Sequence, residues 1–261
     1  MGITPPLSGS SQAVSTPGAG IANNPEVLLW GDSLTKGDPG VAFTRYLYQA
    51  IKGIRWVNHG KGGDTALSLL KRIEAETVPP AKNKALIAIL WIGVNDVFAD
   101  LVPGYGLLKT ARRQPPTRNV DTFDGIFRSI LDNLFRHAHR IIALPPLFVG
   151  EDPGTDRNRR LVIMSDLISE ICSEYPECRF ADLRLSLPLS SDNPPGFLPV
   201  NPWSKIVEFF GRIEIEDYDK AAERRGLNWT YDGVHLNSSG AREVSRVLSN
   251  VIEEEFRKAI S

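Results

Sequence analysis

Four short stretches of this 261-residue chain carry side chains that together could perform nucleophilic acyl chemistry. The first is Trp30-Gly31-Asp32-Ser33-Leu34-Thr35, which puts a serine directly after an apolar run. A serine hydroxyl attacks poorly at its free pKa, so it needs a base within hydrogen-bond reach and donors waiting for the oxyanion. The base candidate is His235, in Tyr231-Asp232-Gly233-Val234-His235-Leu236-Asn237. Asp232, three residues ahead, can turn back onto one ring nitrogen and leave the other to take the serine proton. Donor candidates are the backbone of Gly60-Lys61-Gly62-Gly63-Asp64-Thr65 and the side-chain amide of Asn95 in Ile92-Gly93-Val94-Asn95-Asp96. Asp32, beside the serine, is expected to cap or brace the turn rather than to titrate during catalysis.

These residues need elements that bring them together. Short apolar and β-branched runs at 27–30, 54–57, 85–92, 141–144 and 179–183 read as five strands. Segments of helical period lie at 41–52, 66–76, 122–139, 156–175 and 239–258. Strands that alternate with helices and read as continuous apolar runs imply a parallel sheet covered on both faces. The expected fold is therefore α/β, a three-layer α/β/α flavodoxin-like domain with a five-stranded parallel sheet. In such sheets ligands bind beyond the carboxyl ends of the strands, where Ser33, the glycine cluster and Asn95 all fall. Residues 97–121 and 186–231 exceed ordinary loops. They could form an acyl pocket or a lid, or the aromatics Trp203, Phe209, Phe210 and Trp229 could pack an extra helix onto the domain.

The four blocks, in this order, resemble those of the SGNH (GDSL-like) hydrolase superfamily of serine esterases and lipases, named for its Ser, Gly, Asn and His. The match runs from about Val27 into the last helix. The resemblance implies Ser33 as nucleophile and as one oxyanion donor through its own N–H, Gly63 and Asn95 as the other donors, and His235 with Asp232 as base and orienting acid. Gly60, Gly62 and Gly63 lie close together, and Asn58 with Asp64-Thr65 sets the register at Gly63. The resemblance further implies hydrolysis of carboxylic esters through an acyl-enzyme, with no metal or organic cofactor. Small acyl esters, O-acetylated sugars and lysophospholipids are the substrate classes it leaves open. Acyl transfer and thioester hydrolysis would use the same parts.

Thirty basic against thirty-one acidic residues leave a net charge of −1, so no overall field favours nucleic acid or an anionic membrane. A small-molecule ester is the expected partner. The longest strongly apolar stretch, residues 85–94, falls well short of the roughly 20 residues needed to span a bilayer. Residues 1–24, rich in Ser, Pro, Gly and Ala, are expected to form a flexible tail, with 25–261 as a single catalytic domain. No secretory signal is visible, so a cytoplasmic location is expected, or a secreted one if a signal was removed.

Several features invite other readings. The glycine cluster lacks the phosphate-loop layout, and Asp64 would repel phosphate, which argues against a nucleotide-binding module. His59 has no acid at a comparable spacing and is expected in loop packing, and His137 with His139 lacks the carboxylates or cysteines of a metal site. Arg157, Arg159 and Arg160 read as a solvated helix face. Cys172 and Cys178 could pair across the turn at Tyr175-Pro176 or remain free thiols. Asn228 and Asn237 fit a glycosylation pattern that matters only in a secreted eukaryotic protein.

Overall fold

Alternation along the first strand, β1 (Glu26–Gly31), sets up the layers. Val27 and Leu29 pack on one face of the sheet and Leu28 and Trp30 on the other, all buried. The computed structural model describes residues 25–76, 84–117, 119–152, 154–187 and 215–260, and the expected tail at 1–24 lies outside them. The other strands are β2 (Arg55–Gly60), β3 (Ala85–Trp91), β4 (Ala138–Leu144) and β5 (Cys178–Phe180). They form one sheet in the order β2-β1-β3-β4-β5, and every pairing is parallel. This is the expected flavodoxin-like arrangement, with its topological switch between β1 and β3.

The helices are α1 (Ser33–Lys36), α2 (Thr44–Ala50), α3 (Ala66–Glu76), α4 (Val94–Leu101), α5 (Tyr105–Ala111), α6 (Val120–Phe135), α7 (Asp156–Ser173), α8 (Ile215–Arg225) and α9 (Ser238–Ile260). Leu47 of α2 and Ala241, Val244, Leu248 and Ile252 of α9 cover the face that carries Val27 and Leu29. Helices α3, α6 and α7 cover the opposite face, through side chains such as Leu69, Phe127 and Ile168. Their apolar residues recur at helical spacing, and Asn119 and Thr155 cap α6 and α7 by accepting from Thr122 N and Asn158 N.

Several boundaries differ from the sequence expectation; the strand expected at 179–183 is Cys178–Phe180, and a 3-10 turn begins at Leu183. Strand β2 runs on to Gly60, because its ladder with β1 continues to the Gly31–Gly60 pair. The helix expected at 122–139 stops at Phe135, since the β3–β4 ladder already begins at the Ala85–Ala138 pair. His137 and His139 therefore flank the start of a strand instead of ending a helix. The register places Gly31, Gly60, Trp91 and Leu144 level with one another, so the residues that follow each strand emerge along one rim.

Candidate active site

The rim is crowded at its centre. A Cβ on Gly31 would lie 2.2 Å from both Thr35 Oγ1 and Trp91 O, so only glycine lets the chain turn there from β1 into α1. Asp32 is the cap of that turn, accepting from Leu34 N at 2.9 Å, which leaves the Ser33 hydroxyl uncommitted to capping. Ser33 is 7% exposed and His235 3%.

The structure brings the serine, histidine and aspartate together. Ser33 Oγ lies 3.0 Å from His235 Nε2, and His235 Nδ1 lies 2.7 Å from Asp232 Oδ2. An ionised carboxylate only accepts, so Nδ1 carries the ring hydrogen and Nε2 is free to accept from the serine hydroxyl. The other Asp232 oxygen accepts from Val234 N and His235 N, folding the loop back over its own acid. That loop is closed by an antiparallel bridge between Thr230 and Leu236, and Val41 N donates to Leu236 O, tying it to the chain that follows Ser33.

Glu151 secures the loop from outside. Its buried carboxylate accepts from the N–H groups of Asn228, Trp229 and Thr230 and from the Thr230 hydroxyl, each at 2.8 Å. Next to it, Gly150 N donates to Gly233 O at 2.7 Å. Glu151 has φ 55, a left-handed backbone that costs a non-glycine residue about 1–2 kcal/mol. The four bonds to its carboxylate offset that cost.

Gly63 and Asn95, the residues expected to meet an oxyanion, converge on the same rim. Asn95 Nδ2 donates to Asp64 O at 2.9 Å and makes a longer contact of 3.3 Å with Asp32 Oδ2, while its Oδ1 accepts from the Tyr105 hydroxyl at 2.8 Å. Gly63 has φ 75, and its carbonyl accepts from Lys109 Nζ at 2.5 Å. Beneath lie three buried carboxylates. Asp64 binds Ser68, Arg72 and Gln114, and Asp96 accepts from Ala66 N and from Thr117. Burial pushes the Asp32 carboxyl up to about 7, against the pull of the Leu34 N–H and the Lys109 ammonium. Burial likewise raises Asp96 to about 6, opposed by the Thr117 and Ala66 hydrogen bonds. The Tyr105 phenol is driven upward by burial and then by Asp32, so it remains a donor.

The remaining candidates fall elsewhere. His59 lies within β2 rather than in the expected loop; it stacks on Trp30 with ring centroids 3.9 Å apart and bonds Glu76 through Nδ1. Among the described residues, no group of three or more His, Cys, Asp and Glu side chains is arranged to hold a metal ion. Arg159 and Arg160 pair with Asp156 and Asp100 on the exposed side of α7. Cys172 and Cys178 are free thiols, and hydrogen bonding to Cys172 together with burial pushes Cys178 up. Asn237 is buried, with its amide engaged by Asn228 O and Gly240 N, so a glycan has no room there. Trp229 packs partly buried against the core beside α9, whereas Trp203, Phe209 and Phe210 lie outside the described residues. No described helix is long and apolar enough to cross a membrane.

Sequence reasoning missed Tyr105, Lys109, Gln114 and Glu151. The first three sit in the over-long 97–121 stretch, whose length was the only signal.

A family model described as the GDSL-like Lipase/Acylhydrolase family matches residues 29–243. No curated protein matches the chain. Among solved structures, the chain is similar to Axe2, an acetylxylan esterase from Geobacillus stearothermophilus, at TM-score 0.58 and 19% identity, covering 90% of this chain and 95% of that one. It is also similar to a member of the lipolytic protein G-D-S-L family from Veillonella parvula DSM 2008, at TM-score 0.60 and 13% identity, covering 87% and 98%. A third similar structure, described as a putative platelet activating factor from Streptococcus pneumonia, gives TM-score 0.57 and 18% identity over 88% and 84%. At these identities the likeness shows the fold.

Proposed function

The chain belongs to the GDSL-like lipase/acylhydrolase family and is a carboxylic-ester hydrolase, and from that premise we propose that Ser33 is its nucleophile, His235 its general base and Asp232 the acid that orients the histidine. The observation that carries this reading is the unbroken relay from Ser33 Oγ through both His235 nitrogens to Asp232, at 3.0 and 2.7 Å. Residues 25–261 act in this reading as one catalytic domain.

The steps follow from the geometry. Ser33 Oγ attacks the ester carbonyl carbon as its proton passes to His235 Nε2, and Asp232 stabilises the imidazolium that results. The carbonyl oxygen becomes an oxyanion, met by the N–H groups of Ser33 and Gly63 and the amide of Asn95. The Asn95 N–H that serves is the one whose contact, with Asp32, is the longer of its two, and the oxyanion takes the place of that acceptor while the amide plane stays where Asp64 O and the Tyr105 hydroxyl hold it. Collapse of the tetrahedral intermediate expels the alcohol, which takes the proton from His235. Water then attacks the acyl-enzyme by the same route, and its proton passes to His235 and on to Ser33 Oγ as the acid leaves.

For substrate we propose small acyl esters, with O-acetylated sugars first, since acetylxylan esterases share the fold. The test is hydrolysis of nitrophenyl esters of increasing acyl length by wild type and Ser33→Ala. Activity should fall on the order of 10⁴-fold or more in the variant, with its fold intact. Equal rates would remove Ser33 from the mechanism. A preference for acetate over longer acyl groups would support the substrate class, and the reverse order would redirect it to lipid esters.

A further inference from the structure

Two of the oxyanion donors can reorient where they stand. Gly63 occupies a left-handed turn after β2, and glycine is the residue with the widest conformational freedom. Asn95 ends in an amide that presents either oxygen or nitrogen, depending on a single flip. A donor stabilises a transition state most when it already points where charge will develop, with nothing left to reorganise.

The segment from α5 into the turn after it fixes both. The Gly63 N–H belongs to the peptide that joins Gly62 to Gly63, and the carbonyl of that peptide accepts from Gln114 Nε2 at 3.0 Å. In a planar trans peptide the C=O and N–H point in opposite directions, so holding the oxygen aims the hydrogen. The same Gln114 nitrogen donates to Asp64 Oδ1 at 3.0 Å, and Lys109 holds the next carbonyl, that of Gly63. Both peptides that flank Gly63 are gripped from one side. At Asn95, the Tyr105 hydroxyl donates to Oδ1 at 2.8 Å, and a flipped amide would set its N–H against that donor and its oxygen against Asp64 O. Gln114 and Lys109 are both buried.

We propose that α5 and the turn after it form a clamp on the oxyanion hole, in which Gln114 aims the Gly63 N–H and Tyr105 fixes the amide of Asn95. Neither side chain touches the reacting atoms. Both are positioning residues, and the inference rests on Ser33 being the nucleophile. Loosening the clamp weakens binding of the transition state while leaving the bound ester, whose carbonyl carries no full charge, almost unaffected.

Gln114→Met keeps the length of the side chain and removes its donor. The kcat and KM for nitrophenyl acetate are measured beside the inhibition constant for phenylboronic acid, whose tetrahedral adduct with a serine sets an oxygen where the oxyanion forms. The clamp predicts a kcat lower by about 10- to 100-fold, an inhibition constant raised by a similar factor and an unchanged KM. Tyr105→Phe should shift the same two quantities in the same directions, by about 3- to 10-fold. If a folded Gln114→Met keeps the wild-type kcat and boronate affinity, or loses activity through KM alone, the clamp is overturned. If Gln114→Met does not fold, Tyr105→Phe decides by the same criteria. Ser33→Ala, run in parallel, separates the two levels. Activity retained there would overturn the nucleophile and the clamp together, whereas an inactive Ser33→Ala beside a wild-type-like Gln114→Met would overturn the clamp alone.

Discussion

The two halves of the candidate site are held in different ways. Ser33 and Asn95 follow β1 and β3, whose ladders put Gly31 and Trp91 side by side at the centre of the sheet. His235 and Asp232 sit in a loop with one isolated bridge for regular structure. Its position comes from carboxylates that accept backbone N–H groups: Glu151 from outside and Asp232 from within. A sheet fixes geometry through many weak, repeated bonds. A loop reaches comparable order only when a few charge-assisted bonds satisfy its otherwise orphaned donors. The sheet half should therefore lose function before stability when altered, and the loop half should lose both together.

The largest effect expected from this comparison is in Asn95→Ala, which removes the proposed side-chain oxyanion donor from the sheet half. Turnover should drop by about 100- to 1000-fold. Thermal unfolding of this variant should show a smaller loss of stability than the loop variant that follows, and a larger loss would break the comparison. Next comes Glu151→Ala, which leaves three backbone donors of the histidine loop without their acceptor and keeps the left-handed backbone at 151. Denaturant unfolding should register a loss of about 3 kcal/mol. Amide exchange should speed up across 228–237 while β1 and β3 stay protected, and exchange that rose equally in the strands would deny the loop its separate anchoring.

A third effect, read against pH, concerns charge under the sheet half. Burial raises the folded Asp32 carboxyl to about 7 from its ordinary 3.8. The folded state then binds the proton more tightly, so the stability it contributes is full below about 3.8 and is lost as pH rises through 7. Each proton bound in excess corresponds to a slope of about 1.4 kcal/mol per pH unit. Asp32→Asn keeps an oxygen to cap Leu34 and removes the titration. Melting curves between pH 4 and 8 should show the wild type losing stability relative to this variant as pH rises, and parallel curves would mean that Asp32 stays ionised throughout.

Much of this was legible because the decisive partners are close in sequence or lie just beyond a strand. Asp232 and His235 are three residues apart, and a turn suffices to join them. Ser33 and Asn95 are marked by the apolar runs before them, which give away buried parallel strands and hence the rim where they end. Helix ends were less legible. The apolar period of α6 runs on past Phe135 into Ala138, and the sequence has no way to register that the ladder with β3 claims that residue first.

What the sequence by itself determined, then, is the order of layers and the four blocks of the site, since both are written in local spacing. The tertiary structure alone decided which distant side chains hold those blocks in place. Gln114 meets Gly62 across 52 residues and Glu151 meets Asn228 across 77, with no periodicity to announce either contact. A buried polar group binds whichever partner the packed chain brings within about 3 Å, and that proximity exists only after the sheet has formed and the helices have closed over it.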